Sequence, residues 1–297
     1  MTYYVKPDSE SHLILRDTVE TLKVTFYSGE TATAADGSVT LGIVDEAGNT
    51  IVSSGTAATA VGSGVYSYTL SAQTDLKLLT VTWNGTWSSN SQTFLTQHEV
   101  IGGFYTTPAE VRSMDSISGE TSAFPLADLV SAIQWATQVI DDFCGTSFVY
   151  RYHRDILTGT DDQNIKLKEM FPRTIISATI DGTALSTDEK NKISLFDSGV
   201  IIREDSVWDY TEAGQKVIIE YEAGVTKQPP ADIAWACRTL ARYHLIEQLS
   251  RIPERALSIS SEFGNIQLAQ PSMDRPTPLP DVNVILQRHR HRAPIAY

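Results

Sequence analysis

The chain has 297 residues, 41% of them apolar and 20% charged, and a formal net charge of −13. That balance belongs to a folded globular chain of about two domains, not to a disordered one. Net acidity argues against broad, nonspecific nucleic-acid binding, and no apolar run approaches the ~20 residues that span a bilayer.

The first residues, MTYYVKPDSESHLILRD, hold acids where a signal peptide requires an apolar core, so export by that route is not expected. Residues 1–103 then read as an all-β domain. In ETLKVTFYSG, Leu22, Val24 and Phe26 alternate with Lys23, Thr25 and Tyr27, the period of a half-buried strand. Val39, Leu41 and Ile43 repeat the period before a DEAGN turn. Further strands are predicted in VYSYTL, LLTVTW and QTFLTQHEV, with Asn84-Gly85 as the tight turn between the last two. Short strands between Gly/Ser/Asn/Asp loops predict an immunoglobulin-like sandwich. Trp83 and Trp87 are read as one core and one surface aromatic, in preference to a sugar-stacking pair.

Residues 104–250 read as a second domain, with helices flanking a β region over 148–221. Thr107 and Glu110 have capping-box spacing and Pro108 occupies the first helical position. A longer helix is predicted from near Pro125 to Gly145, with Leu126, Leu129, Val130, Ile133, Ile140 and Phe143 on its apolar face. Strands follow in FVYRYHRDIL, NIKLK, TIISATIDG, KISLF, VIIRE and KVIIEY. Pro229-Pro230 opens another helix that carries Ile233, Cys237, Leu240 and His244 and runs to about Leu249, with Asp232 near its positive end.

Residues 251–297 read as an extended arm and a basic tail. QPSMDRPTPLP has four prolines in eleven residues and excludes a regular helix or central strand. DVNVILQRHR predicts one short helix with Asp281 as its cap, too short to be stable without a surface to dock on. The fold class is therefore α+β and multidomain: an N-terminal sandwich, a helical bundle with inserted strands, and a C-terminal arm.

The pieces YTTPAEVRSM, LADLVSAIQWATQVIDDFCG, FPRTIISATIDG and KVIIEYEAGVTKQPPADIAWACRTLARY follow one another in an order that resembles the head-to-tail adaptor (connector) proteins of tailed bacteriophages. The Tyr221-Glu222-Ala223-Gly224 step before a proline-started helix is part of it. The resemblance covers residues 104–297. The N-terminal domain departs from the minimal family form and resembles immunoglobulin-like domains added to virion proteins. The resemblance implies a structural protein of the virion neck, assembled in the host cytoplasm as a twelve-fold ring below the portal. The ring would extend the DNA channel, pass DNA without specific binding and present a surface to stopper or tail proteins. It implies no catalytic residues, cofactor or metal.

The residues offer little enzymatic chemistry of their own. GxSxG, HExxH and GxxxxGK[ST] are absent. Asp197-Ser198-Gly199 resembles one half of an aspartic-protease site, but a hairpin ISLF–DSG–VIIRE accounts for the same residues. Asp141-Asp142 diverge on a helix, and Asp161-Asp162 lack calcium-loop spacing, so both pairs read as solvated carboxylates. Cys144 and Cys237 lie far apart outside any CxxC and offer neither a disulfide framework nor a zinc site. His244 reads as a core histidine. The alternatives to an adaptor are a decoration or receptor-binding protein acting through residues 1–103, and a hydrolase of unrecognised type centred on Asp197.

The tail QRHRHRAPIAY is basic in an acidic protein. A solvated terminus, DNA contact and docking on an acidic partner compete for it. The resemblance favours docking on the portal: Val282, Ile285 and Leu286 would supply burial, Arg288, Arg290 and Arg292 bidentate pairing, and Tyr297 the end of the contact.

Overall fold

The computed structural model describes residues 3–7, 12–209, 216–249, 258–261, 264–267 and 276–291. It is mixed α+β, mostly strands, with five helices among the described residues. Its contacts divide the chain into two units. One holds residues 1–103 and 150–223, the other residues 104–149 and 224–297.

The first unit begins with β1 (Tyr3–Pro7), β2 (Leu13–Leu15), β3 (Glu20–Ser28), β4 (Thr31–Ala32), β5 (Thr40–Asp45), β6 (Thr50–Ala57), β7 (Thr59–Gly62), β8 (Val65–Leu70), β9 (Lys77–Trp87) and β10 (Asn90–Ile101). They form two five-stranded sheets, one ordered β1-β3-β8-β7 with β4 beside β3, the other β2-β10-β9-β5-β6. Both sheets feed one core. Leu22, Val24 and Phe26 of β3 and Tyr66 and Leu70 of β8 meet Leu41, Ile43, Leu79, Val81 and Trp83 of the other sheet. The period of two in the sequence sets which side chains enter it.

The turn between β9 and β10 is not at Asn84-Gly85. Both residues lie inside β9, and Ser88 and Ser89 make the turn with φ of 49° and 62°. Two successive positive φ values are those of a type I′ hairpin turn, whose twist matches that of the strands. Trp83 and Trp87 are both buried, so the expected surface aromatic is absent. Trp83 Nε1 donates to Thr96 Oγ1 at 3.0 Å, and Trp87 Nε1 to the carbonyl of Thr33 at 3.3 Å.

In the second unit, α1 (Pro108–Arg112) and α2 (Leu126–Cys144) come next in the chain. Both halves of the capping box at Thr107 and Glu110 are formed. Helix α2 buries Leu129, Ala132, Ile133, Ala136, Ile140 and Cys144, a stripe at helical spacing, and ends at Gly145 in the left-handed conformation. Leu126, expected on that stripe, is 41% exposed in the first turn.

The chain then returns to the first unit through β11 (Arg151–Thr158), β12 (Asn164–Lys166), β13 (Pro172–Ile180), β14 (Thr183–Ala184), α3 (Thr187–Asn191), β15 (Ile193–Leu195), β16 (Val200–Arg203) and β17 (Lys216–Ala223). A four-stranded sheet β11-β17-β13-β14 and a three-stranded sheet β12-β16-β15 share a core of Ile165, Ile193, Ile201, Trp208, Val217 and Ile219. Helix α4 (Ala231–Leu249), the β18 (Ser258–Ser261)–β19 (Gly264–Gln267) hairpin and α5 (Pro280–Arg288) complete the second unit. Ile233, Ala236, Cys237, Leu240 and Leu245 of α4 join the buried stripe of α2.

Candidate functional site

The basic segment at the end of the described chain is built onto the second unit by its own sequence. Helix α5 presents Val282 and Leu286, one helical turn apart, and both are fully buried in the core shared with α2 and α4. Ile285 packs against the same core while half-buried. The apolar turn expected to bury itself in a partner is therefore largely used within the chain. Asp281 is not the cap. The N-cap position is Leu279, which makes no side-chain cap bond, and Asp281 stands in the first turn, where its charge suits the helix dipole.

Asn283 is buried and fixes the approach to α5. Its Oδ1 accepts from Thr277 N at 3.1 Å and Thr277 Oγ1 at 2.9 Å, and its Nδ2 donates to the Thr277 carbonyl at 2.7 Å. A buried side-chain amide is tolerated when its donors and acceptors are matched in this way.

Beyond α5, the chain crosses the C-terminus of α2. His291 N donates to the Cys144 carbonyl at 2.9 Å, satisfying one of the groups a helix end leaves open. A Cβ on Gly145 would stand 3.0 Å from the His291 carbonyl, so the left-handed glycine also leaves room for this crossing. The Arg290 guanidinium lies 4.8 Å from the centre of the Phe143 ring, near the negative end of the α2 dipole. His289 Nε2 donates to Asp232 Oδ2 at 2.7 Å, and its ring meets Phe148 edge-on at 5.4 Å. Burial opposes ionisation of Asp232, but the hydrogen bond and charge of His289 and two backbone N–H donors outweigh it and hold the carboxyl below its ordinary range. Burial, then the charge of His289, lowers His291.

Of the expected docking residues, the structure thus brings Val282, Ile285 and Leu286 into the core or onto it. Arg288 and Arg290 are exposed. Arg292 and Tyr297 lie outside the described residues, as does the proline-rich arm before Pro276.

The other candidate residues are spread apart. Tyr105 donates its hydroxyl to Asp141 Oδ1 and accepts from Phe148 N at 2.6 Å, which gives Asp141 a structural partner. Asp162 accepts from Gln163 N and Asn164 Nδ2 within its own loop. Asp197 pairs with Arg173 at 3.1 Å in the turn of the β15–β16 hairpin, as the hairpin reading expects. Among the described residues no three His, Cys, Asp or Glu side chains are placed to hold a metal ion, and no helix is long and apolar enough to cross a membrane. Cys144 and Cys237 are free and buried, and burial pushes both thiols up to about 12. His244 is half-buried and stacks on Trp135 with ring centres 4.4 Å apart.

The model of one protein family, head completion protein, matches residues 105–252. Among curated proteins, none matches the chain. Among solved structures, a chain in the neck of an empty GTA particle, computed with C6 symmetry, is 17% identical with a TM-score of 0.43; the match covers 62% of this chain and 88% of that one. A chain in the virion of the native gene transfer agent particle is 18% identical with a TM-score of 0.42 over the same shares. A DUF4785 family protein of Legionella pneumophila is 13% identical with a TM-score of 0.23, covering 33% of this chain and 27% of that one. The family match falls within the segment whose helix–strand–helix order resembles the phage adaptors, and residues 105–252 of the chain are those of a head completion protein by that match.

Proposed function

We propose that this protein completes the head of a phage-like particle as a ring below the portal, extending the DNA channel and joining the head to the stopper and tail. The family match over residues 105–252 carries the reading. A twelve-fold ring follows from the adaptor resemblance. The net charge of −13 supports a channel wall that does not hold passing DNA, because like charge repels the phosphate backbone. The two N-terminal sheets, sharing one core, support an immunoglobulin-like sandwich. No catalytic role is proposed.

Within this reading the portal is met by Arg288 at the end of α5 and Arg290 just past it, together with Arg292 and Tyr297 beyond them. Val282, Ile285 and Leu286 serve this docking by anchoring the base of the tail in the chain's own core. Each exposed ion pair contributes about 0.5 kcal/mol, and repetition around a ring makes the sum effective.

The test is cryo-EM of the protein mixed with the portal ring encoded by the same genome. A second ring of twelve copies, with residues after 288 ordered against the portal, is the expected result; no association between two folded components would sink the reading. The companion variant is a chain ending after His291, which spares α5. It should fold normally and dock more weakly.

A further inference from the structure

Strand β17 carries two glutamates on the face turned away from its own core, where a strand open to water would leave them exposed. Glu220 and Glu222 are each only 7% exposed. Buried carboxylates are tolerated when they are paired and hydrogen-bonded. The partner of Glu222 is Arg16, whose NH1 lies 2.8 Å from Oε1 and which follows β2 near the start of the chain. Glu220 accepts from Ser177 Oγ at 2.7 Å. It also lies 3.4 Å from Arg154 Nε, within charge-pairing distance but without the alignment of a hydrogen bond. A third pair, Arg151 with Glu99 at the end of β10, is bidentate at 2.9 Å.

Apolar and backbone contacts follow the same seam. Tyr150 and Tyr152 pack against the core of the two N-terminal sheets. Gly102 N donates to the Tyr150 carbonyl at 2.9 Å, and a Cβ at position 102 would stand 2.8 Å from that of Tyr150. Only glycine permits this approach without displacement.

We propose that residues 12–103, 150–209 and 216–223 form one cooperative folding unit, in which the N-terminal sheets are a fixed brace for the β11–β17 sheet and not a detachable binding module. The sheet they brace lies inside the segment that matches the family, so a load on the N-terminal sheets passes directly into it. Removing residues 1–103 would take Arg16 away from Glu222 and uncover Tyr150 and Tyr152. The proposal stands independently of the role assigned to the protein above.

Native-state hydrogen exchange on the full chain, followed through low denaturant, tests it. Amides of β9, β10 and β17 should converge on one common opening. Arg16→Met removes the guanidinium 2.8 Å from a buried carboxylate and should speed exchange roughly 100-fold in both β10 and β17. Glu222→Gln keeps the shape without the charge and should act on both strands at a smaller, roughly tenfold, scale. The proposal is overturned if β17 opens while β9 and β10 stay protected in the unaltered protein, a result that needs no variant to fold. It is also overturned if Arg16→Met speeds exchange only in β10, the strand beside β2, or if Glu222→Gln acts only on β17.

Discussion

His289 and Asp232, 57 positions apart, close the end of α5 onto the first turn of α4 through one 2.7 Å hydrogen bond. Both side chains are partly exposed, so the pair contributes modestly, about 0.5–1 kcal/mol. His289→Ala should lower the stability of the second unit by that amount and speed amide exchange in α5. Asp232 titrates lower in the folded chain than its ordinary value of 3.8. Its contribution is therefore full above that value and is lost as pH falls through the lower folded one. Urea unfolding should show the gap between parent and variant at pH 7 and a narrowing gap as pH falls below 3.8. A gap that does not narrow in acid would mean that the histidine acts by packing on Phe148 instead.

Tyr105 has a sharper role. Its buried hydroxyl serves Asp141 and the backbone N–H of Phe148 together. Tyr105→Phe keeps the ring and its edge-on contact with Phe148 but leaves a buried N–H without its acceptor. The expected loss is about 2 kcal/mol in urea unfolding, larger than a surface substitution produces. A loss below ~0.5 kcal/mol would show that another group takes over the N–H.

These two contacts mark where sequence reading stops. Signals confined to a few neighbours were legible: the capping box at Thr107, the left-handed glycine after α2, the proline-started α4, and the alternation of Leu22, Val24 and Phe26. The same kind of signal stands at Ser186 and Glu189, whose complete capping box starts the short α3. Long-range pairing was not legible, because nothing near Arg16 indicates a glutamate 206 positions later. The grouping of residues 150–223 with the N-terminal sheets rests on such pairs. At the tail, composition showed the charge and the short apolar turn. It did not show that Val282 and Leu286 fill the chain's own core, since periodicity names an apolar face without naming what covers it.

Gly85 is a further case, where a strong local signal lost to packing. Asn-Gly is a favoured hairpin turn, yet β9 runs through both residues and turns at Ser88. The Trp87 indole lies over Gly85, and a Cβ there would stand 2.6 Å from its ring. Gly85→Ala should therefore force the indole to move and cost about 1–3 kcal/mol. A red shift of tryptophan fluorescence, from greater exposure of Trp87, should accompany the loss. An unchanged spectrum with full stability would mean that the ring has room to slide.

His153 sets an expectation for acid sensitivity in the first unit. Its ring stacks on Tyr221 at 5.6 Å, and burial, followed by the charge of Arg151, lowers it to about 4 from an ordinary 6.5. The folded chain then binds fewer protons than the unfolded chain between those values. Its contribution is full above pH 6.5 and is lost as pH falls toward 4, by at most ~3 kcal/mol. Glu99 and Glu169 act in the opposite sense, because burial raises both, so total stability mixes the two trends. His153→Phe separates them, since it keeps an aromatic ring against Tyr221 and removes only the titrating group. The parent protein should lose stability relative to this variant between pH 7 and pH 4.5. Parallel stability curves for the two proteins would show that the histidine reaches water and titrates normally in the fold.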